Sequence, residues 1–409
     1  MKIAIVNKHY QLGGIETVVH QLWRGLPRLG FESELWVAEF GKLAPKKPVH
    51  LLYPPLLNRL QLSRFQNVTE RFFPRRIWTA REFEKIRQSD CDVVHVHGFD
   101  ETYASFDLLV ELAKTKPMAL TLHGAWPFTG GCGQPLGCER FTDACGKCPQ
   151  VGVSPVPNVD NSAAELEKKR RLLGDAPIHF VSPSLHLRSK ALRSTPGRKW
   201  EITHIPNGVN TAFFHGTRKN DGAARRALGV EPQCTVVLAM CRDFRDPVKG
   251  SSLMVGALQL LDADKIQVVL LGESGEQIAS QIPSRLRPTP LGYVGGDTAK
   301  RDLLEIADIF LFTSLEETFP CVVLEAMSAE CCVVSTPLAA VREQLESGVS
   351  GFVAAKFTAE SIAHELARIC NDPVLRREVA RCARDVVVER FSEEVMISQH
   401  AELYRRISR

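Results

Sequence analysis

Two carboxylates, Glu317 and Glu325, stand eight residues apart within the stretch from Ser314 to Thr336. The run DIFLFTS before them is typical of a buried parallel strand. The apolar spacing of PCVVLEAMSAE predicts a helix with Pro320 in its first turn. Glu317 should therefore lie in the loop before this helix and Glu325 within it. A carboxylate can accept hydrogen bonds from paired hydroxyl groups, and the free N–H groups of a helix start favour phosphate.

This combination of diol and phosphate recognition fits a sugar nucleotide as the ligand. The spacing alone is equally compatible with two structural glutamates that bind no ligand, with Glu317 as a charge at the helix start and Glu325 facing solvent. Two glutamates at this distance are common, so the pair needs support from other parts of the chain.

Two further candidates follow apolar strands near the start of the chain. Gly13 and Gly14 come after the strand that begins at Lys2, where a glycine pair lets the backbone approach a ligand. Taken without other context, the pair is a weak signal and a plain turn is the favoured interpretation. His123 follows the apolar run ALTL and opens a loop, which is the usual ligand position in open α/β sheets. A structural loop histidine is the alternative.

The loop after His123 holds four cysteines, at Cys132, Cys138, Cys145 and Cys148. Four thiols within seventeen residues, ending in a Cys-x-x-Cys pair, suit a tetrahedral zinc site that would staple a loop with no core of its own. Redox-sensitive or disulfide pairing and simple unligated cysteines stay open as alternatives. A cytoplasmic location would argue against stable disulfides.

Several motifs resemble those of the retaining glycosyltransferases of family 4. ETFPCVVLEA resembles their Glu-x7-Glu donor motif, usually E-x-F-G-x-x-x-x-E-A, with Pro320 where glycine is commonest. MKIAIVNKHYQLGGIETVV resembles the opening strand and Gly-Gly loop, and VSPS and IPNGVNTAFF resemble landmarks of the domain junction. The Cys-rich segment is similar to one in a subset of bacterial polysaccharide and cell-surface glycan transferases. The resemblance runs over essentially the whole chain.

The resemblance implies roles for residues in both halves. His123 would hydrogen-bond the donor sugar near the reacting centre, and the Gly13–Gly14 loop would face the donor diphosphate and the acceptor. Glu325 would hold the ribose. The donor sugar would be held by Glu317 and by the backbone of three residues after it: Phe319, Pro320 and Cys321.

The donor diphosphate should meet two cations. MCRDFRDPVKGSSLMVGAL resembles the family's Arg…Lys-Gly motif, and Lys249 precedes a helix that begins after Gly250. Arg242 at the strand end is the second cation, with Arg245 open as the alternative. Gly272 in LLGESG resembles a strand-end glycine at which the backbone approaches the nucleotide.

Alternating strands and helices predict an α/β fold of two Rossmann-like domains with parallel sheets, the GT-B architecture that the resemblance implies. The expected domains are 1–198, which binds the acceptor, and 199–387, which binds the nucleotide sugar, with a terminal helix in 388–409 packing back on the first. The predicted strands are Lys2–Asn7, Glu34–Ala38, Val93–His97, Ala119–His123, His179–Ser182, Thr235–Cys241, Gln267–Gly272, Ile309–Thr313 and Cys332–Ser335.

Composition sets broad limits. The 409 residues are 44% hydrophobic and 24% charged, with a net charge of +4 that gives no sign of nucleic-acid binding. We expect a cytoplasmic protein, because no segment resembles a secretory signal or a membrane span. The basic, aromatic stretch Leu56–Ile77 could lie on an anionic membrane, although a surface helix pair is the favoured interpretation. Glu165–Leu173 is ambiguous in the same way.

The expected activity is retaining transfer of a hexose-type sugar from a UDP or GDP sugar to a hydroxyl of a glycan, lipid-linked or small-molecule acceptor. We expect no catalytic metal, because two cations already occupy its place and no Asp-x-Asp motif ends a suitable strand. A catalytically silent binding subunit and a sugar-nucleotide epimerase are the alternatives. Release of free nucleotide from a donor would distinguish an enzyme from a silent binder.

Overall fold

The chain divides into two compact units, one made of Met1–Pro206 with Met396–Arg409 and the other of Asn207–Val395. The structure, a computed structural model, describes residues 1–10, 13–39, 49–52, 75–101, 103–153, 155–219, 221–293 and 296–409, with the backbone alone at 75–78. The stretch Leu56–Ile77 lies almost entirely outside the described residues, so its predicted membrane contact stays a prediction.

Each unit is built on a parallel sheet. In the first unit, the strands in the described residues lie in the order β3-β2-β1-β4-β5-β6-β7. They are β1 (Lys2–His9), β2 (Glu32–Glu39), β3 (His50–Leu51), β4 (Val93–Val96), β5 (Met118–Thr121), β6 (His179–Ser182) and β7 (Ile202–His204). In the second unit the order is β10-β9-β8-β11-β12-β13. Its strands are β8 (Thr235–Asp243), β9 (Ile266–Glu273), β10 (Thr289–Pro290), β11 (Ile309–Phe312), β12 (Cys332–Ser335) and β13 (Phe352–Val353).

Helices connect these strands. In the first unit they are α1 (Gly14–Gly25), α2 (Arg75–Gln88), α3 (Phe106–Ala113), α4 (Ser162–Leu173) and α5 (Leu185–Arg193). In the second they are α6 (Gly222–Ala227), α7 (Ser251–Leu260), α8 (Gly275–Ala279), α9 (Asp297–Ile306), α10 (Cys321–Ser328), α11 (Ala339–Gln344), α12 (Ala359–Asn371) and α13 (Pro373–Arg390), and α14 (Glu393–Ile407) ends the chain. Short 3-10 turns lie at Leu26–Leu29, Trp126–Phe128, Arg140–Thr142, Gly197–Lys199, Pro247–Lys249 and Ser284–Leu286.

The central strands of both sheets are short apolar runs buried on both faces, as helices on either side of a parallel sheet require. The two sheets confirm the predicted α/β class. Three predicted strands ran past the observed ends, because β4 ends at Val96, β5 at Thr121 and β11 at Phe312. His97, His123 and Thr313 therefore lie beyond the strand ends. Four strands of two or three residues were missed, because so short a segment carries no periodicity: β3, β7, β10 and β13.

The last helix, α14, contributes its length from Met396 to the first unit. The Gly25 Cα faces Ile397 so closely that an added Cβ would lie 2.2 Å from its Cδ1 atom. Tyr404 is fully buried there and meets Phe31 edge to face, with ring centroids 6.4 Å apart. This part of the last helix therefore packs against the first unit.

None of the helices in the described residues is both long enough and apolar enough to cross a membrane.

Candidate functional site

The loop after β8 presents Lys249 through a short capped turn. Asp246 caps the turn by accepting a hydrogen bond from the Val248 N–H at 3.0 Å, and Pro247 fills the first turn position. Gly250 ends it with a φ of 64°, and a Cβ there would lie 2.0 Å from the Thr313 carbonyl oxygen. Only glycine fits this position, so the sequence DPVKG fixes where the lysine stands.

The loops after β8 and β11 are joined at this point. Leu315 N–H donates to the Val248 carbonyl at 2.7 Å, and the Thr313 hydroxyl donates to the Lys249 carbonyl at 3.0 Å. Since β9 and β10 lie on one side of β8 and β11–β13 on the other, the loops meet where the strand order reverses. Ligands of open α/β sheets bind outside the carboxyl ends of the strands at such a switch point.

Lys249 and Glu317 form an ion pair across these loops, with Nζ 2.8 Å from Oε1. The Ser314 hydroxyl donates to the same carboxylate oxygen at 3.0 Å. Burial alone would lower the pKa of Lys249, but the neighbouring Glu317 carboxylate outweighs it and raises that pKa. The two predicted residues therefore lie together as a charged, half-buried pair.

The start of α10 is held by side chains from elsewhere in the second unit. Asn207 Nδ2 donates to the Phe319 carbonyl at 3.1 Å, and Gln344 Nε2 donates to the Pro320 carbonyl at 3.1 Å. Phe319 itself is buried in the core. Pro320 is the residue before the helix rather than in its first turn, and Cys321 begins it. These contacts fix the direction in which the first N–H groups of the helix point.

Glu325 lies inside α10 and is buried, which excludes the interpretation of it as a solvated helix residue. Its Oε1 accepts a hydrogen bond from Lys300 Nζ at 2.7 Å, while its Oε2 is buried without a hydrogen-bond partner in the described structure. Burial raises the pKa of Glu325, and the Lys300 ammonium restrains that rise. A buried carboxylate oxygen left unpaired is costly and therefore marks a place where a ligand hydroxyl can donate.

Lys300 was missed by the sequence reasoning. It lies on α9 and is also 3.2 Å from Asp297, and its ammonium lies 5.3 Å from the centre of the Phe214 ring. The available signal was the helix start at Asp297, which places a lysine on the first turn of the helix before β11. Nothing in the spacing tied that lysine to Glu325.

The remaining second-unit candidates lie at strand ends. Arg242 is exposed near the end of β8, and the described residues offer it neither a hydrogen bond nor an ion pair. Arg245, the alternative, is engaged with the Asp243 carboxylate at 2.8 Å. Gly272 has a φ of 153°, and a Cβ there would lie 2.2 Å from the Cys241 carbonyl oxygen. It is thus a close backbone approach between β8 and β9.

In the first unit, the Gly13–Gly14 pair begins α1. Glu16 closes a capping box, since its Oε2 accepts from the Gly13 N–H at 2.7 Å. Its Oε1 accepts from Asn7 Nδ2 at 3.2 Å. Glu16 is therefore a structural helix-start charge, while Gly14 has no atom within 4 Å of an added Cβ.

A chain of hydrogen bonds leads from His123 into the first core. His123 Nε2 is 2.9 Å from His97 Nδ1, and His97 Nε2 is 3.2 Å from His95 Nδ1. His95 in turn reaches the Tyr404 hydroxyl at 2.7 Å and the Thr121 hydroxyl at 2.8 Å. Burial lowers the pKa of His123 to about 3 and also lowers the pKa values of His95 and His97, so these three histidines are neutral at ordinary pH. His95 and His97 are fully buried and belong to the interior of the first unit.

His123 borders a cavity of about 480 Å³ at the carboxyl edge of the first sheet. Its wall carries the carboxyl side chains of Asp100, Glu101 and Glu165 and the indole of Trp126. Lys169, fully buried, donates to the carbonyls of Trp126 at 2.7 Å and Thr129 at 3.0 Å and so holds one side of the wall in place. An aromatic ring beside carboxylates is a surface suited to a polyhydroxylated ligand.

The four loop cysteines, all free thiols, border a single small cavity of about 20 Å³. Burial raises the pKa of Cys132 to about 11 and also raises that of Cys145. Among the described residues, no three His, Cys, Asp or Glu side chains are positioned as they stand to share an ion. The predicted zinc site therefore stays a prediction at this point.

Two family models match the chain in succession. The Glycosyltransferase Family 4 model matches residues 12–213, and the model for Glycosyl transferases group 1 matches residues 233–386. The matches follow the two halves of the chain in order.

Curated relatives agree with these matches. The chain is 25% identical over 366 residues to WcaC of Escherichia coli (strain K12), covering 85% of each chain, and that protein's name assigns it provisionally to colanic acid biosynthesis as a glycosyl transferase. It is 29% identical over 226 residues to the phosphatidyl-myo-inositol mannosyltransferase of Mycolicibacterium smegmatis, covering 52% of this chain and 55% of that protein.

Solved structures agree in fold. HepE from Anabaena, solved with UDP and glucose, superimposes with a TM-score of 0.70 at 18% identity, covering 99% of this chain and 100% of that chain. WaaG, a glycosyltransferase of lipopolysaccharide biosynthesis, superimposes with a TM-score of 0.68 at 13% identity, covering 98% and 99% of the two chains. At such identities the likeness establishes the fold.

Proposed function

Because this chain belongs to the glycosyltransferases of the GT4 type, which share the GT-B fold, we propose that it transfers a hexose-type sugar with retention from a UDP or GDP sugar to an acceptor hydroxyl. The observation that carries the proposal is the Lys249–Glu317 pair at the switch point of the second sheet, beside the helix that holds the half-satisfied Glu325. The structure of HepE with UDP-glucose supports UDP as the nucleotide of the donor.

Lys249 supplies the first positive charge for the donor diphosphate. It stands at the start of α7, whose N-terminal N–H groups add a positive field. In the resting protein its charge is balanced by Glu317, so a bound diphosphate competes for the same ammonium. Arg242, exposed and unengaged in the described structure, is the second cation. Two such cations are expected to do the work of a divalent metal in stabilising the leaving group.

Glu325 supplies the ribose contact. Its Oε1 is held by Lys300, which fixes the carboxylate plane, and its unpaired Oε2 accepts a hydrogen bond from a ribose hydroxyl. Glu317 and the backbone from Phe319 to Cys321 hold the sugar. A charged acceptor makes the stronger hydrogen bond, so this carboxylate selects a diol over a deoxygenated analogue.

The acceptor belongs to the first unit in this proposal. The cavity beside His123 offers carboxylates and the Trp126 indole to a hydroxylated molecule. A glycan, a lipid-linked sugar or a small polyol all present that chemistry, and the mannosyltransferase relative is named for a phosphatidyl-myo-inositol acceptor.

The transfer itself needs no carboxylate nucleophile. The bond between the anomeric carbon and the phosphate oxygen breaks as the acceptor oxygen bonds to the same face of that carbon. The acceptor proton passes to the departing phosphate oxygen, and Lys249 with Arg242 stabilises the charge left on the diphosphate. Configuration at the anomeric carbon is thereby retained.

Proton NMR of a turnover mixture tests this proposal. The protein is incubated with UDP-glucose, UDP-galactose, UDP-N-acetylglucosamine and GDP-mannose in turn, with simple glycoside acceptors. We expect one donor to release its nucleoside diphosphate and to give an α-linked product. Lys249→Ala should lower the rate by about 10²–10³-fold, whereas the exposed Lys356→Ala should not change it. A β-linked product, or no release from any donor, would contradict the proposal.

A further inference from the structure

The Cys-rich loop of the first unit carries a feature that sugar transfer does not use. Cys132, Cys138, Cys145 and Cys148 all border the same cavity, whose volume of about 20 Å³ is close to that of one small sphere. A space of this size surrounded by four thiols is too small for an organic ligand. It has room for about one water-sized particle, and among four thiols a single metal ion is the candidate occupant.

The backbone of the loop brings the thiols to one place by unusual turns. Between the last two cysteines, Gly146 has a φ of 129° and Lys147 a φ of 48°. Before the second cysteine, Leu136 has a φ of 51° and Gly137 a φ of 80°. A non-glycine residue in the left-handed region costs about 1–3 kcal/mol and persists only where other contacts impose it. Leu136 and Lys147 therefore need a strong constraint nearby.

The loop has little core of its own to impose those turns. Phe141 is buried, whereas Leu136, Val151 and Val153 are exposed. The turn between Cys145 and Cys148 is anchored from outside by Asp160, which accepts from the Cys148 N–H at 2.8 Å. Glu139 adds a second anchor through its ion pair with Arg193 at 2.7 Å. A constraint at the thiols themselves would add to these anchors at the turns beside the cysteines.

Four thiolates and one Zn²⁺ would carry a net charge of minus two, and the surroundings of the cavity suit this negative charge. Arg140 borders the cavity, and its Nη1 donates to the Gly146 carbonyl at 2.8 Å. The Gly130 N–H lies beside the Cys145 sulfur, and the Thr129 hydroxyl donates to the Cys132 carbonyl oxygen at 2.7 Å. Contacts of this kind, to a ligating sulfur or to the backbone beside it, orient metal ligands from outside.

We propose that Cys132, Cys138, Cys145 and Cys148 form a closed, tetrahedral structural Zn²⁺ site. Four thiolates saturate the ion, so the site has a structural role and leaves no position for a substrate. The four side chains must turn toward the cavity that they border, because no three of them are placed to share an ion as they stand in the described structure.

The site would also shape the larger cavity beside His123. Gly130 and Gly131 line both cavities, so the zinc loop is one wall of the pocket that we assign to the acceptor. A Cβ on Gly130 would lie 2.4 Å from the Ser162 carbonyl oxygen and 2.9 Å from the Cys145 Cβ, which shows how tightly this wall is packed. Loss of the ion should disturb the acceptor side while the donor side in the second unit stays intact.

Metal analysis of the full-length protein tests the proposal. Protein purified without chelator should contain one zinc ion per chain by plasma mass spectrometry. Cys145→Ser and Cys148→Ser should each lose it, whereas Cys382→Ser, a half-buried cysteine on α13, should keep it. Growth with Co²⁺ should give the visible absorption of a tetrahedral thiolate site.

A second measurement on the wild-type protein covers the case in which the variants fail to fold. Brief alkylation of the native protein, followed by mass spectrometry, should find the four loop thiols protected until a chelator is added. Metal-free protein with all four thiols readily alkylated would overturn the proposal, as would a disulfide among them. UDP or GDP binding, measured in the same samples, reports on the donor site separately, so failure of either proposal can be distinguished.

Discussion

The buried Lys300–Glu325 pair gives a quantitative prediction. The Glu325 side chain is 3% exposed and that of Lys300 22% exposed, with Nζ 2.7 Å from Oε1. Lys300→Met keeps the length of the side chain and removes the charge, which leaves a buried carboxylate uncompensated. Removing one partner of a buried pair costs about 3–5 kcal/mol, and partial exposure of Lys300 places the expected loss at about 3 kcal/mol.

For the second unit, residues Asn207–Val395, that loss should lower the melting temperature at pH 8 by roughly 6–12 °C. The double variant Lys300→Met/Glu325→Gln should regain most of the difference, because no buried charge remains. Lys356→Met, at an exposed lysine of the same unit, is the matched control and should melt as the wild type does.

The pH dependence follows from Glu325. Burial has already raised its folded pKa above the ordinary 4.5, and removing Lys300 raises it further. A group with a raised folded pKa contributes stability that is fully present below its unfolded pKa and is lost as the pH rises through the folded pKa. Lys300→Met should therefore approach the wild type near pH 4.5 and fall below it at pH 8.

Scanning calorimetry of these three proteins and the control at pH 4.5, 6 and 8 measures the predicted melting temperatures and their pH dependence. Equal melting temperatures of Lys300→Met and the wild type at pH 8 would contradict this prediction. A melting temperature of Lys300→Met/Glu325→Gln no higher than that of Lys300→Met would also contradict it.

Three further predictions concern other parts of the chain. Gly250→Ala should lower the free energy of unfolding by about 2 kcal/mol or more, because of its left-handed φ and the clash with the Thr313 carbonyl, and should weaken donor binding in a titration. The control Gly222→Ala, where an added Cβ would have no atom closer than 3.5 Å, should do neither. The first unit should lose stability as the pH falls from about 6.5 toward 4, because burial lowers the pKa of His400 to about 4 and its stabilising neutral form is lost on that descent; calorimetry of His400→Gln should show a flatter pH dependence. Tyr404→Phe removes the hydroxyl partner of His95 Nδ1, which keeps its contact with His97 at 3.2 Å. The loss of this one hydrogen bond should destabilise the protein by about 1 kcal/mol, with no change in donor affinity.

The fold was predictable because its strands are buried runs of apolar residues, a pattern that parallel sheets impose. Cys332–Ser335 and His179–Ser182 were placed to the residue. The short edge strands escaped, because β10 and β13 consist of two residues whose pairing depends on the neighbouring strand and on no local pattern. The loop position of Glu317 and the helix position of Glu325 were likewise readable from the strand before them and the helical spacing after them.

The contacts between side chains were less accessible. Lys249 and Glu317 are 68 positions apart in sequence, and their pairing follows from the strand order, which brings the loops after β8 and β11 together. Lys300 was missed because its partner lies on another helix, and a single lysine on a first helical turn is ordinary. The burial of His95 and His97 could not be predicted from the sequence, because a histidine at the end of a strand is as readily placed at a surface as in a core.

Isothermal titration of the protein with UDP and with GDP measures whether a nucleoside diphosphate binds at the carboxyl edge of the second sheet. We predict one-to-one binding of one of these nucleotides, weakened at least tenfold in Lys249→Ala and in Glu325→Gln and unchanged in Lys356→Ala. Absence of binding by either nucleotide, or binding that Lys249→Ala leaves unchanged, would contradict the account.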